Sequence, residues 1–298
     1  MKRLIAIGNF DGVHRGHQHL LSAVVEQARA MGLVPTVLTF DPHPSVVLGR
    51  GALPLLTGIE TKVQLLQQVS PALEVVVQPF TKQLAALSPE GFVRDVLVGS
   101  HHAGHVVVGA NFRFGAGRAG NLGSLQSLGH RYGFSAEALP LLEAEGEAIS
   151  SSRIRSLLTA GHVGEAAKLL GRPHVTSGEV VHGDAIGRTL GFPTANLGGI
   201  AELVPGFGVY ACTAEIVGTP NKALPGAASI GVRPTLNQSG PPPVRVEVHL
   251  LDRALDLYGQ TLRVAWVARL RGEERFASLD ALKAQIASDV DHARRVLE

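Results

Sequence analysis

At 298 residues, 45% hydrophobic and 17% charged with mean hydropathy +0.18, the chain has the composition of a globular protein of two ordinary domains and excludes long disordered segments. No run approaches the ~18 consecutive apolar residues that a membrane helix requires, and a net charge of +2 gives no positive blanket for nucleic acid while leaving room for anionic ligands. The single cysteine, Cys212, excludes an intrachain disulfide and points to a reducing, cytoplasmic setting.

Lys2 and Arg3 imitate the start of an export signal, but the apolar run behind them, Leu4 to Ile7, is too short to be one. It reads instead as a first strand, followed by an amphipathic stretch from His19 to Gly32. The same alternation repeats three times: Val34–Phe40 then Glu60–Val69, Glu74–Phe80 then Pro89–Leu97, His105–Gly109 then Leu122–Gly133. Short β-branched runs alternating with helical patterns predict βα units, hence an α/β domain with a Rossmann-like parallel sheet covered on both faces.

Directly after the first strand stands Gly8-Asn9-Phe10-Asp11-Gly12-Val13-His14-Arg15-Gly16-His17. Ligands of open α/β sheets bind beyond the carboxyl ends of the strands, and a helix N-terminus there suits phosphate. His14 and His17, three apart on the first turn, can aim two imidazole donors at one phosphate group. Either histidine could instead be structural or a cap, and with His43 of the segment Thr39–Pro44 the pair could hold zinc. Further on, Gly115 to Gly120 satisfies GxGxxG with Glu137 downstream, the dinucleotide fingerprint, although Gly109–Phe114 separates it from its strand.

Ile149–Leu158 and Val163–Leu170 have helical spacing, with Gly161 between them and Gly171-Arg172-Pro173 closing the pattern. The first begins Ser150-Ser151-Ser152-Arg153-Ile154-Arg155, either a plain N-cap or a clamp in which hydroxyls and guanidinium groups hold a polyphosphate. A domain boundary is expected here, dividing the chain into residues 1–171 and 172–298.

The strings GNFDGVHRGH, TFDPHP, VVGANFRFGAGRAGN and ISSSRIR resemble the nucleotidylyltransferase superfamily, and within it the adenylyltransferase half of prokaryotic bifunctional riboflavin kinase/FMN adenylyltransferases. The resemblance implies an ATP site of Gly8, Phe10, Asp11, Gly12, Asn111, Ser151 and Ser152. It also implies that His14 and His17 orient the α-phosphorus for attack by FMN, while Arg155 steadies the outgoing phosphates. Asn111 and Asn121 stand where many relatives carry Asp.

From Val175 the chain turns to short strands between Gly and Pro turns: 175–183, 208–218, 226–232, 244–252 and 262–270, five segments whose alternation predicts a small antiparallel barrel. Asn237–Pro243 reads as a loop and Leu279–Leu297 as a closing amphipathic helix. No P-loop or protein-kinase motif is present. The candidate nucleotide loop is Gly183–Asn196, in which Gly183, Gly187 and Arg188 could wrap phosphates and Thr194 with Asn196 offers two oxygens for Mg²⁺, unless it is a Gly-rich turn without function. Glu247, alternating with Val246 and Val248, is either a solvent-facing strand carboxylate or a general base.

The strings VVHGDAIGRTLGFPTANL, FGVYA, SIGVRPT, VEVHLLD, DLYGQTLRV and LRGEERF resemble the riboflavin kinase domain. That resemblance implies a six-stranded barrel with a C-terminal helix, mainly β, in which Thr194 and Asn196 bind Mg-ATP, Glu247 takes the proton of the riboflavin 5′-hydroxyl, and the flavin lies near the last helix. The expected ligands are riboflavin, FMN, FAD and ATP, with Mg²⁺ as cofactor, without nucleic acid or membrane; the oligomeric state stays open. A rival reading makes one half a flavin-binding or RNA-associated module, against which stands an aromatic content of only 5% for base stacking.

Overall fold

The structure is a computed structural model that describes residues 1–49, 53–140, 142–183, 186–219, 223–232, 244–253 and 255–298. They form two compact units, Met1–Leu53 with Thr57–Ser150, and Pro54–Leu56 with Ser151–Glu298.

In the first unit, β1 (Arg3–Ile7), β2 (Val34–Asp41), β3 (Glu74–Pro79), β4 (Ala103–Gly109) and β5 (Ser135–Leu139) make one sheet in the order β3-β2-β1-β4-β5, every pair parallel. The connections carry α1 (Arg15–Met31), α2 (Pro44–Val47), α3 (Ile59–Val69), α4 (Lys82–Ala86), α5 (Pro89–Gly91) running into a π-helix at Phe92–Ser100, and α6 (Leu122–Tyr132). A two-residue hairpin, β6 (Glu143–Ala144) and β7 (Glu147–Ala148), follows. Side chains of a strand alternate between faces. Ile5, Ile7, Leu38, Val106 and Val108 therefore enter one core with Phe92 and Leu97, and Leu4, Ala6, Val37 and Val107 enter the other with Leu21, Val24 and Leu66. Burial on both faces is why these strands read as unbroken apolar runs. Strand order reverses at β1, which has β2 on one side and β4 on the other, so the crevice at its carboxyl end is the fold's ligand position.

The second unit opens with α7 (Ser151–Thr159) and α8 (Val163–Leu170). A closed barrel follows, β8 (His174–Val181), β9 (Ala195–Gly198), β10 (Gly208–Ile216), β11 (Leu224–Val232), β12 (Val244–Leu250) and β13 (Thr261–Arg271), in the order β10-β11-β12-β9-β8-β13. Every neighbouring pair is antiparallel. A short α9 (Ile186–Leu190) precedes β9, and α10 (Leu279–Leu297) ends the chain. Alternation alone finds five of the six strands; the sixth, β9, has only four residues and hides behind the Gly-rich loop.

Inside the barrel the two largest side chains keep their polar ends satisfied, as buried aromatics require. Trp266 Nε1 donates to Thr176 Oγ1 at 3.2 Å, and the Tyr210 hydroxyl donates to the Gly206 carbonyl. Outside, Ala211, Ala227 and Ala268 leave room for α10, whose Ala293 is fully buried. Arg271 bonds Asp289 of that helix through Nε at 3.0 Å and Nη2 at 2.8 Å, and Gln285 adds a third donor at 2.9 Å. The expected loop at Asn237–Pro243 lies outside the described residues.

Candidate functional site

The turn from β1 into α1 places three left-handed residues within four positions: Phe10 at φ 49°, Gly12 at 85° and Val13 at 39°. Only glycine adopts that region cheaply, so the loop needs holding. The backbone N–H and hydroxyl of Thr57 donate to Asp11 Oδ1 at 3.0 and 3.3 Å, and Gly12 N donates to Thr57 Oγ1 at 3.1 Å. Asp11 is only 3% exposed, and these bonds satisfy a carboxylate that burial alone would penalise. Thr39 Oγ1 and Lys62 Nζ both donate to the Asn9 carbonyl, at 3.0 and 3.3 Å, and Lys62 also reaches the Phe40 carbonyl at 3.1 Å. Gly8 lies against the Phe10 ring, where a Cβ would come within 3.1 Å.

His14 is the N-cap of α1, its Nδ1 accepting from the His17 N–H at 3.3 Å. A nitrogen that accepts carries no proton, so neutral His14 holds its hydrogen on Nε2. The two rings stack with centroids 3.6 Å apart and planes 15° apart, and Phe10 meets His17 edge-on at 5.1 Å. His17 Nδ1 is enclosed without a hydrogen-bond partner, which leaves Nε2 as the nitrogen able to meet a ligand. Burial, reinforced by the charges of His14 and Lys62, holds the His17 imidazole well below its ordinary range, so it is neutral at pH 7. A Cβ at Gly16 would press on His14 Cε1 and Nδ1 at 3.2 Å, which explains a glycine between the histidines.

His43 is occupied in capping α2, its Nδ1 accepting from Ser45 N at 3.2 Å and meeting Ser45 Oγ at 2.8 Å. Among the described residues, no group of three or more His, Cys, Asp or Glu gathers around a common point. Gly115–Gly120 folds back on itself: Phe114 and Gly120 exchange backbone bonds of 3.2 and 2.9 Å, and a Cβ on Gly120 would strike the Phe114 ring at 2.6 Å. Gly115 and Gly120 answer to local packing, and Glu137 is engaged by Gln27 Nε2 at 2.9 Å and His105 Nε2 at 3.2 Å.

Asn111 is exposed in the turn after β4, and Asn121 caps α6 in a reciprocal box with Ser124, at 2.9 and 2.8 Å. Ser151 and Ser152 occupy the first turn of α7 in the second unit. On the same helix Arg155 Nε donates to the Pro54 carbonyl at 2.8 Å.

On the barrel, Val246 and Val248 point inward, which turns Arg245, Glu247 and His249 outward. Glu247 lies directly across from Asn196 in the β12–β9 register, and Asn196 lies across from Val181 on β8. Arg245 Nη1 donates to Glu247 Oε1 at 3.1 Å. Gly183 flanks the Asn196 amide so closely that a Cβ would fall 2.3 Å from Nδ2. Gly187 is as tight, with a Cβ 2.4 Å from the Phe192 carbonyl and 3.3 Å from Thr194 Oγ1. His249 Nδ1 donates to the Pro193 carbonyl at 2.8 Å and receives the Phe192 ring edge-on at 5.6 Å, so β12 carries the loop that presents Thr194. Arg188 is exposed on α9; Asp184 lies outside the described residues.

The barrel thus gathers Gly183, Gly187, Thr194, Asn196 and Glu247 on one outer patch, rich in the oxygen donors that suit Mg²⁺. Thr57, Lys62, Arg245 and His249 escape the sequence reasoning. Two left a trace: Lys62 shares the helical stripe of Leu66 and Val69, and Arg245 stands two before Glu247 on the same strand face.

Two family descriptions match the chain, FAD synthetase over residues 1–153 and riboflavin kinase over residues 170–297. The chain is similar to proteins named bifunctional riboflavin kinase/FMN adenylyltransferase. That of Escherichia coli strain K12 is 42% identical over 98% of this chain and 91% of its own, and that of Bacillus subtilis strain 168 is 37% identical over 99% and 92%. A crystal structure described as a macrolide-efflux protein from Streptococcus pneumoniae matches at TM-score 0.85 and 30% identity, over 98% of this chain and 94% of that one. Among the described residues of this chain, no helix is long and apolar enough to cross a membrane.

Proposed function

The chain belongs to the family of bifunctional riboflavin kinase/FMN adenylyltransferases, and from that premise we propose how its residues divide the two reactions. Riboflavin is phosphorylated to FMN, and FMN is adenylylated by ATP to FAD. We assign residues 172–298 to the first reaction and 1–171 to the second. That boundary follows the chemistry of Ser151, Ser152 and Arg155, although the compact units divide after Ser150.

For adenylyl transfer, His14 and His17 donate from Nε2 to ATP phosphates at the positive end of α1, and the FMN phosphate attacks the α-phosphorus in line as pyrophosphate leaves. Gly8, Phe10 and Gly12 shape the loop that meets the nucleotide, and Asp11 acts through Thr57 to hold it. Asn111 contacts nucleotide or flavin, and Ser151, Ser152 and Arg155 contact the β- and γ-phosphates. No covalent intermediate is needed, because positioning and charge neutralisation supply the acceleration.

For phosphoryl transfer, Gly183, Gly187 and Arg188 embrace the ATP phosphates, and Thr194 and Asn196 hold Mg²⁺. When bound, the ion neutralises charge developing on the transferred phosphoryl group. Glu247 accepts the riboflavin 5′-hydroxyl proton, with Arg245 fixing the direction of its carboxylate. The observation that carries this assignment is the cross-strand pairing of Glu247 with Asn196, which sets base and metal ligand side by side. A cytoplasmic setting is proposed with it, supported by Cys212 being the single cysteine and buried as a free thiol.

The test is to incubate the protein with ATP and Mg²⁺ and either riboflavin or FMN, and to separate the flavins by chromatography. Glu247→Gln is expected to slow FMN formation about 100-fold or more while FMN-to-FAD conversion persists. His14→Ala is expected to do the reverse, by on the order of 10²-fold. Loss of both activities from either substitution overturns the division of labour.

A further inference from the structure

A lysine side chain is seldom buried without a carboxylate bonded to it, because taking an ammonium out of water is costly. Lys62 is 6% exposed, yet the acceptors of its Nζ are two backbone carbonyls, Asn9 at 3.3 Å and Phe40 at 3.1 Å. Those carbonyls belong to the β1–α1 turn and to β2, at the carboxyl ends of neighbouring parallel strands. Burial weakens the hold of this ammonium on its proton, and Asp11 on the turn and Asp41 on β2 are the carboxylates near enough to oppose that effect. Neither the fold's cores nor the two sheet faces need a cation there; leucine or methionine would fill the stripe that Lys62 shares with Leu66.

We propose that Lys62 is a positioning residue of the adenylyltransferase site: its ammonium pins the Gly8–His14 turn to β2 and sets a fixed positive charge behind the His14–His17 pair, where the ATP phosphates arrive. The inference rests on the assignment of that pair to the nucleotide. A buried cation works there in two ways. It binds the turn that holds three left-handed residues, and it opposes protonation of His17, which is also faced by His14 and by the Phe10 ring. His17 then stays a neutral Nε2 donor as the pH falls, and the phosphates meet two imidazoles backed by an ammonium.

The sign follows from the charges. A positive neighbour lowers the affinity of His17 for a proton, so removing it raises the midpoint of His17. Lys62→Met, which keeps an unbranched side chain one atom shorter and deletes its charge, is expected to lower kcat/KM for ATP in the adenylylation of FMN at least tenfold, in line with the loss of charge-assisted hydrogen bonds. It is also expected to move the acid limb of the pH profile to higher pH. Riboflavin phosphorylation, measured on the same sample, is expected to be unchanged and reports that the protein is folded. Lys62→Arg, which keeps the charge, is expected to retain the wild-type acid limb even where its altered shape slows turnover. Where Lys62→Met is too slow for a profile, the His17 Cε1–H resonance titrated by NMR gives the midpoint directly.

An unshifted limb or midpoint in Lys62→Met, or an equal shift in Lys62→Arg, overturns the proposal. Adenylylation that survives His14→Ala overturns instead the assignment of the pair, and so separates the two failures.

Discussion

Hydrogen atoms decide much at the two candidate sites, because several glycines stand where a single methyl group has no room. Gly183 is the sharpest case: a methyl there would fall 2.3 Å from the Asn196 amide, inside any real contact distance. Gly183→Ala must displace Asn196 and is expected to lower riboflavin kinase activity about tenfold or more with FMN adenylylation unchanged, measured by timed conversion of each substrate. Cys212 shows the opposite kind of constraint, since burial pushes its thiol up to about 12. A thiol that stays protonated is a poor nucleophile, so the folded protein is expected to resist iodoacetamide at pH 8 and to label only on unfolding. Residue by residue, the candidate positions that the sequence offers are polar side chains set into an apolar rhythm or a Gly-rich loop, as His14, Thr194 and Glu247 are. Thr57 and Lys62 were illegible because their partners, Asp11, Asn9 and Phe40, are brought to them only by the parallel sheet.

Elements followed the sequence wherever hydrophobic period was their cause. β1 to β4 and the helices between them are legible because each of these strands feeds two cores, and that requirement writes itself as β-branched runs, whereas β5, Ser-Ala-Glu-Ala-Leu, has no β-branched residue and escaped. Others escaped as well. β9 is too short to show a period, and the π-helix at Phe92–Ser100 has an apolar pattern that does not distinguish it from an α-helix. For α10 the decisive contact is the Arg271–Asp289 pair, whose side chains are 16% and 9% exposed. Arg271→Met would strand a buried carboxylate and is expected to cost about 3 kcal/mol, read as a lower denaturant midpoint of the barrel unit.

The whole molecule was legible as two architectures but not as two segments. The sequence suggests a border at 171/172, after the second helical pattern, whereas α7 and α8 belong to the compact unit of the barrel. α8 lies against β8 and β13, and Gly161 between the helices leaves space for the Tyr210 hydroxyl and Arg269. A fragment of residues 151–298 is therefore expected to unfold at a higher temperature than one of residues 172–298, a difference that differential scanning calorimetry resolves. Neither fragment is whole, since Pro54–Leu56 also belongs to this unit: Leu55 bridges Glu202, and its carbonyl accepts from Leu203 N at 2.7 Å. Any hybrid gene that joins the front of one relative to the back of another will inherit those three residues from the wrong parent. Such hybrids are expected to fold more often when positions 54–56 are exchanged along with the distant barrel they serve.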